Sequence, residues 1–340
     1  MATIKDVAKR AGVSVATVSR VLNASGPASP EAARRIHEAA AELRYVPHGG
    51  ARSLITARSH TLGVLLPDLY GEFFSEIIRG IDQTAQQHGY HLLLSGSHNG
   101  KPEIEAAMRA MRGRTDGIIA MSPHLDAQTL VENLPPSVPV VLLSCPERDG
   151  DHYVISIDNA EGARGMVHHL AELGHRRIAI IRGAAGNYDA AERLTGYRRA
   201  IADTGCVADE SLEVAGDFTE ASGHRATLAL LALPERPTAI FCANDSMAIG
   251  ALSALRDFGI RVPEDITVVG FDDIPLARYM NPPLSSVHVP ILEMGERAAR
   301  RLIAALAGED GAAPRHERLP TQLIIRASCD HPPVALKEVT

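Results

Sequence analysis

The sequence predicts a small all-α helix-turn-helix headpiece followed by a large α/β body of two doubly wound lobes, and three observations carry that prediction. Helix-start signals fall in close succession at Thr3, Ser14 and Ser29-Pro30-Glu31. From residue 61 onward, apolar runs of strand length alternate with helical stretches, and the series occurs twice. The two regions also differ in charge: residues 1–60 hold nine Lys/Arg against four Asp/Glu, net +5, so the remaining 280 carry −12 within an overall −7.

In the headpiece, Thr3 is an N-cap with Asp6 three residues on, Val7 and Ala8 give the apolar face, and Gly12 can close the helix in the left-handed conformation. Ser14 caps a second helix in which Val15, Val18 and Leu22 recur at spacings of three and four, leaving Ala16, Thr17, Ser19, Arg20 and Asn23 on other faces. Ser29-Pro30-Glu31 supplies cap, N1 proline and first-turn acid for a third helix, which Ile36, Ala40 and Leu43 pack back and Pro47 stops. Two short helices across a tight turn, with a third behind them, make a helix-turn-helix unit. The exposed face of the second helix carries short side chains and one arginine, so its backbone can approach a partner while Arg20 reaches further; a DNA major groove fits that description. For a generic pattern, a helical hairpin with a solvated polar face is the commoner outcome.

This pattern is not generic. TIKDVAKRAGVSVATVSRVLN, followed by AAELRYVP, closely resembles the N-terminal headpiece of the LacI/GalR family of bacterial transcriptional regulators, and the resemblance runs through nearly the whole chain. It implies contacts with double-stranded operator DNA from Thr3, Lys5, Ser14, Val15, Ala16, Thr17, Ser19, Arg20 and Asn23. Residues 48–59, HGGARSLITARS, link headpiece to body. In the family the matching segment is a hinge helix, ordered on DNA, whose leucine wedges into the minor groove at the operator centre; Leu54 occupies that place, with Ala51 beside it. His48 stands where asparagine is common, and Gly49-Gly50 would each cost about 1 kcal/mol relative to alanine in a helix. Hinge ordering is therefore expected to be weaker here, or more dependent on DNA.

In the body the apolar runs are Leu62–Leu66, His91–Leu94, Gly117–Ala120 and Val138–Leu143, with helical stretches starting near Glu72, Lys101 and Asp126. A second series follows at Ile155–Ile157, Ile178–Ile181, Leu212–Val214, Ala239–Cys242 and Ile266–Val269, completed by a helix over Ile291–Leu306 and a strand-like Leu323–Ile325. Alternation at this spacing means parallel sheets covered by helices on both faces. The family resemblance implies a periplasmic-binding-protein-like body that crosses between its halves near 158, 287 and 319, with the ligand between the lobes. The expected division is a headpiece over 1–47, a linker over 48–59, a body over 60–330 and a tail over 331–340. The N-lobe takes about 60–157 and 288–318, and the C-lobe about 158–287 and 319–330.

Ligands of open α/β sheets bind beyond the carboxyl ends of strands, so residues just after each apolar run are the candidates. Pro67-Asp68 ends the first strand and leads to Phe73-Phe74, a stacking platform or ordinary core packing. Asn244, after FCA, and Asp272, after VVGF, could each grip adjacent ring hydroxyls; Asp245 is expected to cap the next helix. The resemblance adds Arg193 as the arginine that forks hydrogen bonds onto an effector and Phe218 as an aromatic cover for a bound sugar. Ser144 falls where many relatives carry aspartate, which removes one acceptor from the usual hydroxyl pattern.

Other classes fit less well. Cys145, Cys206, Cys242 and Cys329 stand far apart, which argues against a zinc site or a disulfide framework. No Walker loop, GxSxG elbow or GxGxxG appears, and Gly183-Ala184-Ala185-Gly186 is only a weak glycine turn. His168 and His169 point about 100° apart on a helix and cannot chelate one metal together. No signal region precedes the headpiece, which separates the chain from a solute-binding transport protein, and no segment approaches the roughly 18 apolar residues of a membrane span. The expectation is a cytoplasmic, homodimeric repressor rather than an enzyme, requiring no cofactor or metal and binding a pseudo-palindromic operator. Its effector is expected to be a sugar or sugar derivative, with a purine- or nucleoside-responsive regulator that needs a corepressor as the alternative. The tail after Cys329, DHPPVALKEVT, has two prolines and no leucine heptads, so no tetramer-forming coiled coil is encoded there.

Overall fold

The computed structural model describes residues 2–22, 26–45, 58–97, 101–121, 123, 138–146, 152–309 and 314–333. Asn23, Ala51, Leu54, the Gly49-Gly50 hinge and the helix expected near Asp126 lie outside the described residues.

The headpiece consists of α1 (Ile4–Ala11), α2 (Val15–Leu22) and α3 (Pro30–Glu42). Each helix begins where a side chain satisfies its orphan amides. The Thr3 hydroxyl accepts from Asp6 N–H while the Asp6 carboxylate accepts from Thr3 N–H, a reciprocal capping box. The Ser14 hydroxyl accepts from Thr17 N–H at 3.1 Å, and that of Ser29 from Ala32 N–H at 3.2 Å. Gly12 closes α1 with φ 66°, a conformation that a side chain would disfavour. Val7, Ala8, Ala11, Val18, Ile36 and Ala39 form a small separate core. Val15, expected on the apolar stripe of α2, is instead 40% exposed, because Val18 fills the core position with Val21 and Leu22 packed beside it.

The body opens with β1 (Thr61–Leu66), α4 (Glu72–Gln87), β2 (His91–Gly96), α5 (Lys101–Met111), β3 (Gly117–Met121), β4 (Val140–Leu143) and β5 (Tyr153–Ile157). It continues with α6 (Asn159–Glu172), β6 (Ile178–Arg182), α7 (Tyr188–Thr204), β7 (Glu213–Ala215), α8 (Glu220–Leu231), β8 (Ala239–Cys242), α9 (Asp245–Asp257) and β9 (Thr267–Asp272). A 3₁₀ turn over Pro275–Tyr279 leads to β10 (Ser285–His288), α10 (Ile291–Ala307), β11 (His316–Leu319) and β12 (Gln322–Ile324).

The strands form two sheets, ordered β11-β5-β4-β3-β1-β2 and β12-β10-β9-β8-β6-β7. The chain passes from the first sheet to the second after Ile157, back after His288, and forward again after Leu319. Strands β3, β4, β5 and β9 are buried at every position, as parallel strands covered on both faces must be. The expected fold class, a helical headpiece plus two doubly wound α/β lobes, is the fold observed. In each lobe the first strand lies between the second and the third, so the order reverses at β1/β3 and at β6/β8. Such reversals open a crevice beyond the carboxyl ends of the strands.

Two strands depart from the apolar pattern. β10 reads SSVH and β11 reads HERL, and neither announces itself by hydrophobicity. Ser285 and Ser286 are fully buried because tertiary partners satisfy them: Ser285 Oγ donates to Arg326 O at 3.0 Å, and Ser286 Oγ to Asp245 Oδ1 at 2.6 Å. The last strand also begins one residue earlier than the apolar run over 323–325 indicates.

Helices α4 and α10, α6 and α7, and α8 and α9 pack in pairs at backbone contact. A Cβ at Gly250 of α9 would collide with Glu220 O and press on His224 N of α8, and one at Gly223 would collide with Met247 O. Gly250→Ala is therefore expected to destabilise the body by about 1–3 kcal/mol, the usual range for overpacking. Chemical denaturation checks this; an unchanged midpoint would contradict so close an approach.

Candidate functional site

In the headpiece, α2 presents Val15, Ala16 and Arg20 as exposed residues, with Thr17 and Ser19 partly covered. The Ser14 hydroxyl is shared between Thr17 N–H and, at 2.8 Å, the Thr17 hydroxyl. Arg20 folds back only weakly, Nε to Ala16 O at 3.4 Å, so the guanidinium stays at the surface. Lys5 is exposed on α1. The Thr3 hydroxyl, by contrast, is committed to the Asp6 carboxylate at 2.7 Å. The expected DNA-reading residues that are described thus share one small unit, with Arg20 its longest donor.

In the body, a cleft of about 220 Å³ opens between the carboxyl ends of the two sheets. It is lined by Asp68, Phe73 and Phe74 of the first lobe and by Arg193, Phe218, Asn244 and Asp272 of the second. These are seven of the eight effector-site residues expected from sequence. Phe73 and Phe74 meet edge to face, centroids 5.4 Å apart, with both rings packed partly on the core. Phe218 covers the floor at a place where Gly183 has no Cβ; a methyl there would strike its ring. That explains the glycine after β6, which sequence alone reads as a weak turn.

At the base of the cleft lies a buried ion pair. Arg193 on α7 and Asp272 at the end of β9 have side chains 3% and 6% exposed, and Arg193 Nη2 stands 3.1 Å from Asp272 Oδ1, close enough for charge pairing though off hydrogen-bond geometry. Arg193 Nε donates to Asn159 Oδ1 at 2.8 Å, Nη1 donates to Ala243 O, and the guanidinium lies 3.8 Å over the Phe271 ring. Asn159 Nδ2 in turn donates to Asp189 Oδ1 at 2.8 Å. Burial raises the Asp272 carboxyl to about 6, against the opposing pull of Arg193. Burial likewise raises Asp189, opposed by Arg193, by the nearby Ser144 hydroxyl and by the hydrogen bond from Asn159. Phe218 and Asp272 both hold positive φ, 72° and 106°, a backbone strain of about 1–3 kcal/mol each that persists where surroundings over-determine it.

Two expectations are corrected. Ser144 is fully buried and does not line the cleft; it sits beneath, with φ 51°, and acts on Asp189. Asp245 does not cap α9. Asn244 does, its Oδ1 accepting from Met247 N–H at 2.9 Å while its Nδ2 donates to Phe218 O at 3.0 Å. Asp245 is fully buried and accepts from Ile274 N–H at 2.8 Å and from Ser286 Oγ. Burial, with the Asp272 charge adding to it, holds Asp245 well above the usual carboxylate range. Sequence reasoning also missed Asp189, Asn187 and Glu220, which line the cleft, and Asn159 beneath it. Asp189 was findable, since it precedes Arg193 by four residues on one helix face; Asn159 announces itself only through the fold.

A helix-turn-helix reader joined in one chain to a two-lobed ligand-binding body defines a ligand-responsive DNA-binding regulator. Comparison with known proteins agrees: residues 3–48 match the bacterial regulatory proteins of the lacI family, and residues 167–329 match the periplasmic binding protein-like domain. Relatives include the HTH-type transcriptional repressor PurR of Erwinia tasmaniensis, 37% identical over 98% of this chain and 98% of that protein. The ribose operon repressor of Escherichia coli K12 is 37% identical over 89% of this chain and 92% of its own length. Among solved structures, the lac repressor dimer bound to operator and the anti-inducer ONPF has a TM-score of 0.86 at 31% identity, covering 96% of this chain and 98% of that one. The transcriptional regulator CelR–cellobiose complex has a TM-score of 0.72 at 35% identity, covering 97% of this chain and 100% of that one. The chain belongs to the lacI family and is an effector-controlled DNA-binding transcriptional repressor.

Removing one member of a buried ion pair strands the other's charge. Arg193→Met is expected to destabilise the body by about 3–5 kcal/mol, with Asp272→Asn added in the same chain restoring part of the loss. Denaturation of the single and double variants checks the coupling; additive losses would contradict it.

Proposed function

We propose that this repressor acts as a cytoplasmic homodimer on a pseudo-palindromic operator and that its effector is a sugar or sugar derivative bound between the lobes. The observation that carries the sugar reading is the Arg193–Asp272 pair at the base of the cleft, with Asn244 and the Phe218 ring beside it. A carboxylate, an amide and an aromatic face suit vicinal hydroxyls on an apolar ring. The names of relatives that handle ribose and cellobiose point the same way. A purine or nucleoside corepressor is the second reading, favoured by the equal identity to PurR and by Phe73 and Phe74 as a stacking surface. Both readings are of binding, not catalysis. We adopt residues 1–47 as headpiece, 48–59 as hinge, 60–330 as body and 331–340 as tail.

Dimerisation through the body is supported by exposed apolar side chains. Leu69, Tyr70, Leu276 and Tyr279 are 44%, 78%, 41% and 76% exposed, and Glu72 Oε2, accepting from Leu276 N–H at 2.8 Å, brings these two segments together across the lobes. No helix among the described residues is long and apolar enough to cross a membrane.

In the DNA complex, Arg20 takes the role of base reader and Lys5 that of phosphate contact, with Thr3, Ser14, Thr17, Ser19 and Asn23 positioning the helix and Val15 and Ala16 selecting by fit. Leu54, with Ala51 beside it, is the hinge wedge. Arg20→Ala is expected to remove preference for one operator, about 1–3 kcal/mol of discrimination, whereas Lys5→Ala weakens all DNA alike. Competition between operator and random duplex checks this, and equal losses from both duplexes in Arg20→Ala would sink the assignment.

In the cleft, Asp272→Asn keeps size but removes charge. Effector affinity is expected to fall by roughly tenfold or more, since hydrogen bonds to charged groups contribute about 1.5–3 kcal/mol, while operator affinity without effector stays nearly unchanged. Because burial raises Asp272 to about 6, its ionised form prevails above that pH and is lost below it. Effector affinity of the parent should therefore decline below pH 6, and that of Asp272→Asn should not. An Asp272→Asn protein with the parent's affinity and pH profile would make this carboxylate purely structural.

A further inference from the structure

The charge carried by the ligand follows from how the cleft's own helices are terminated, an inference that rests on the sugar reading and narrows it. Four helices begin at the cleft: α4, α7, α8 and α9. A helix N-terminus attracts anions, and four together would form a strong phosphate trap. Each of these, however, carries its own carboxylate within its first two residues: Glu72, Asp189, Glu220 and Asp245. Three are also closed by side chains, with Asn187 accepting from Ala190 N–H, Thr219 from Ser222 N–H and Asn244 from Met247 N–H. The protein's own acceptors already occupy three of the four positive ends.

The lining residues sharpen the imbalance. Asp68, Glu72, Asp189, Asp217, Glu220 and Asp272 line the cleft against one cation among the described residues, Arg193. Three of the five N–H groups of that guanidinium are engaged, by Asn159, Ala243 and Asp272. Phosphate and carboxylate are bound by N–H donors and free cations, and here one of the two amide N–H groups of Asn244 and the hydroxyl of Thr219 are likewise committed, to Phe218 O and Asp217. Acceptors, by contrast, are left over. Asp68 uses only Oδ1, for its own turn, and Glu220 has no ion-pair partner among the described residues. With Asp189 and Asp272 both protonated, and Asp217 paired with Arg225 at 3.6 Å, the carboxylates of Asp68, Glu72 and Glu220 would still face the single arginine.

We propose that the cleft takes a hydroxyl-rich ligand bearing no negative charge, a free sugar or an amino sugar, and excludes its phosphate esters and uronic acids. A ligand that donates hydrogen bonds meets this surplus of acceptors, and an ammonium group gains further from the rim carboxylates. A dianionic phosphate meets net repulsion, which over a few ångströms near a protein surface is enough for at least about a tenfold loss.

The test is a thermal-shift and calorimetric comparison of matched probes on the full chain: each of several pentoses and hexoses as free sugar, amino sugar, uronate and phosphate ester. The expected result is binding by at least one free or amino sugar, with its phosphate ester at least about tenfold weaker, and a gap that widens as salt is lowered. In Glu72→Gln/Glu220→Gln the gap should narrow several-fold. A phosphate ester that binds as tightly as its parent sugar would overturn the charge inference and leave the sugar reading standing. A response to nucleobases with none to any sugar would overturn the sugar reading, and the inference with it.

Discussion

The body depends on one buried contact, the Arg193–Asp272 pair, and on where its neighbours sit in the chain. Asn159, which accepts from Arg193, begins α6 immediately after the first passage between sheets. The Asp272 carbonyl accepts from Val289 N–H at 3.2 Å, on the second passage, and Asp158 N–H donates to Leu319 O at 3.0 Å, joining the first passage to the third. The residues at the base of the cleft are thus hydrogen-bonded into the segments that pass between the lobes. A ligand that favours one setting of the pair shifts the lobes by its differential affinity for the two arrangements and by no more than that. The buried charges are tolerable because each has a partner, and that mutual dependence makes the site sensitive to what enters it.

The headpiece obeys a different constraint. Its core is only a few residues, so its helices stand largely on capping: the box at Thr3–Asp6, the hydroxyls of Ser14 and Ser29, and left-handed Gly12. The same economy leaves α2 free to face outward, with Val15 exposed where an apolar stripe would have buried it. Binding DNA through such a unit adds electrostatic attraction from a basic segment that the acidic body does not share.

How much of this was legible in the sequence follows from the range of each interaction. Helix starts at Thr3, Ser14 and Ser29 and the apolar strands are local, and the sequence states them directly. The residues after β1, β8 and β9 were readable as cleft candidates because sheet topology places strand ends there whatever the side chains do. What was not readable is how those residues are used. Ser144 looked like a cleft residue by position, yet it is fully buried beside Asp189 and leaves the lining to other residues. Asn244 and Asp245 exchanged their expected roles, since only the folded chain brings Ser286 and the Ile274 amide to Asp245. Strand β10 escaped notice because its buried serines are satisfied by partners tens of residues away, and β11 because it reads HERL, with one apolar residue in four.

In the proposed mechanism, ligand in the cleft and operator on the headpiece are coupled through lobe arrangement. Linkage requires that coupling to be reciprocal, and typical values of about 1–3 kcal/mol correspond to roughly 5- to 150-fold changes in affinity. The direct measurement is a closed cycle on one preparation: operator affinity with and without saturating effector, and effector affinity with and without saturating operator. The same factor is expected on both arms, within that range, and a factor near one in Asp272→Asn. A factor of one on both arms in the parent protein would contradict it.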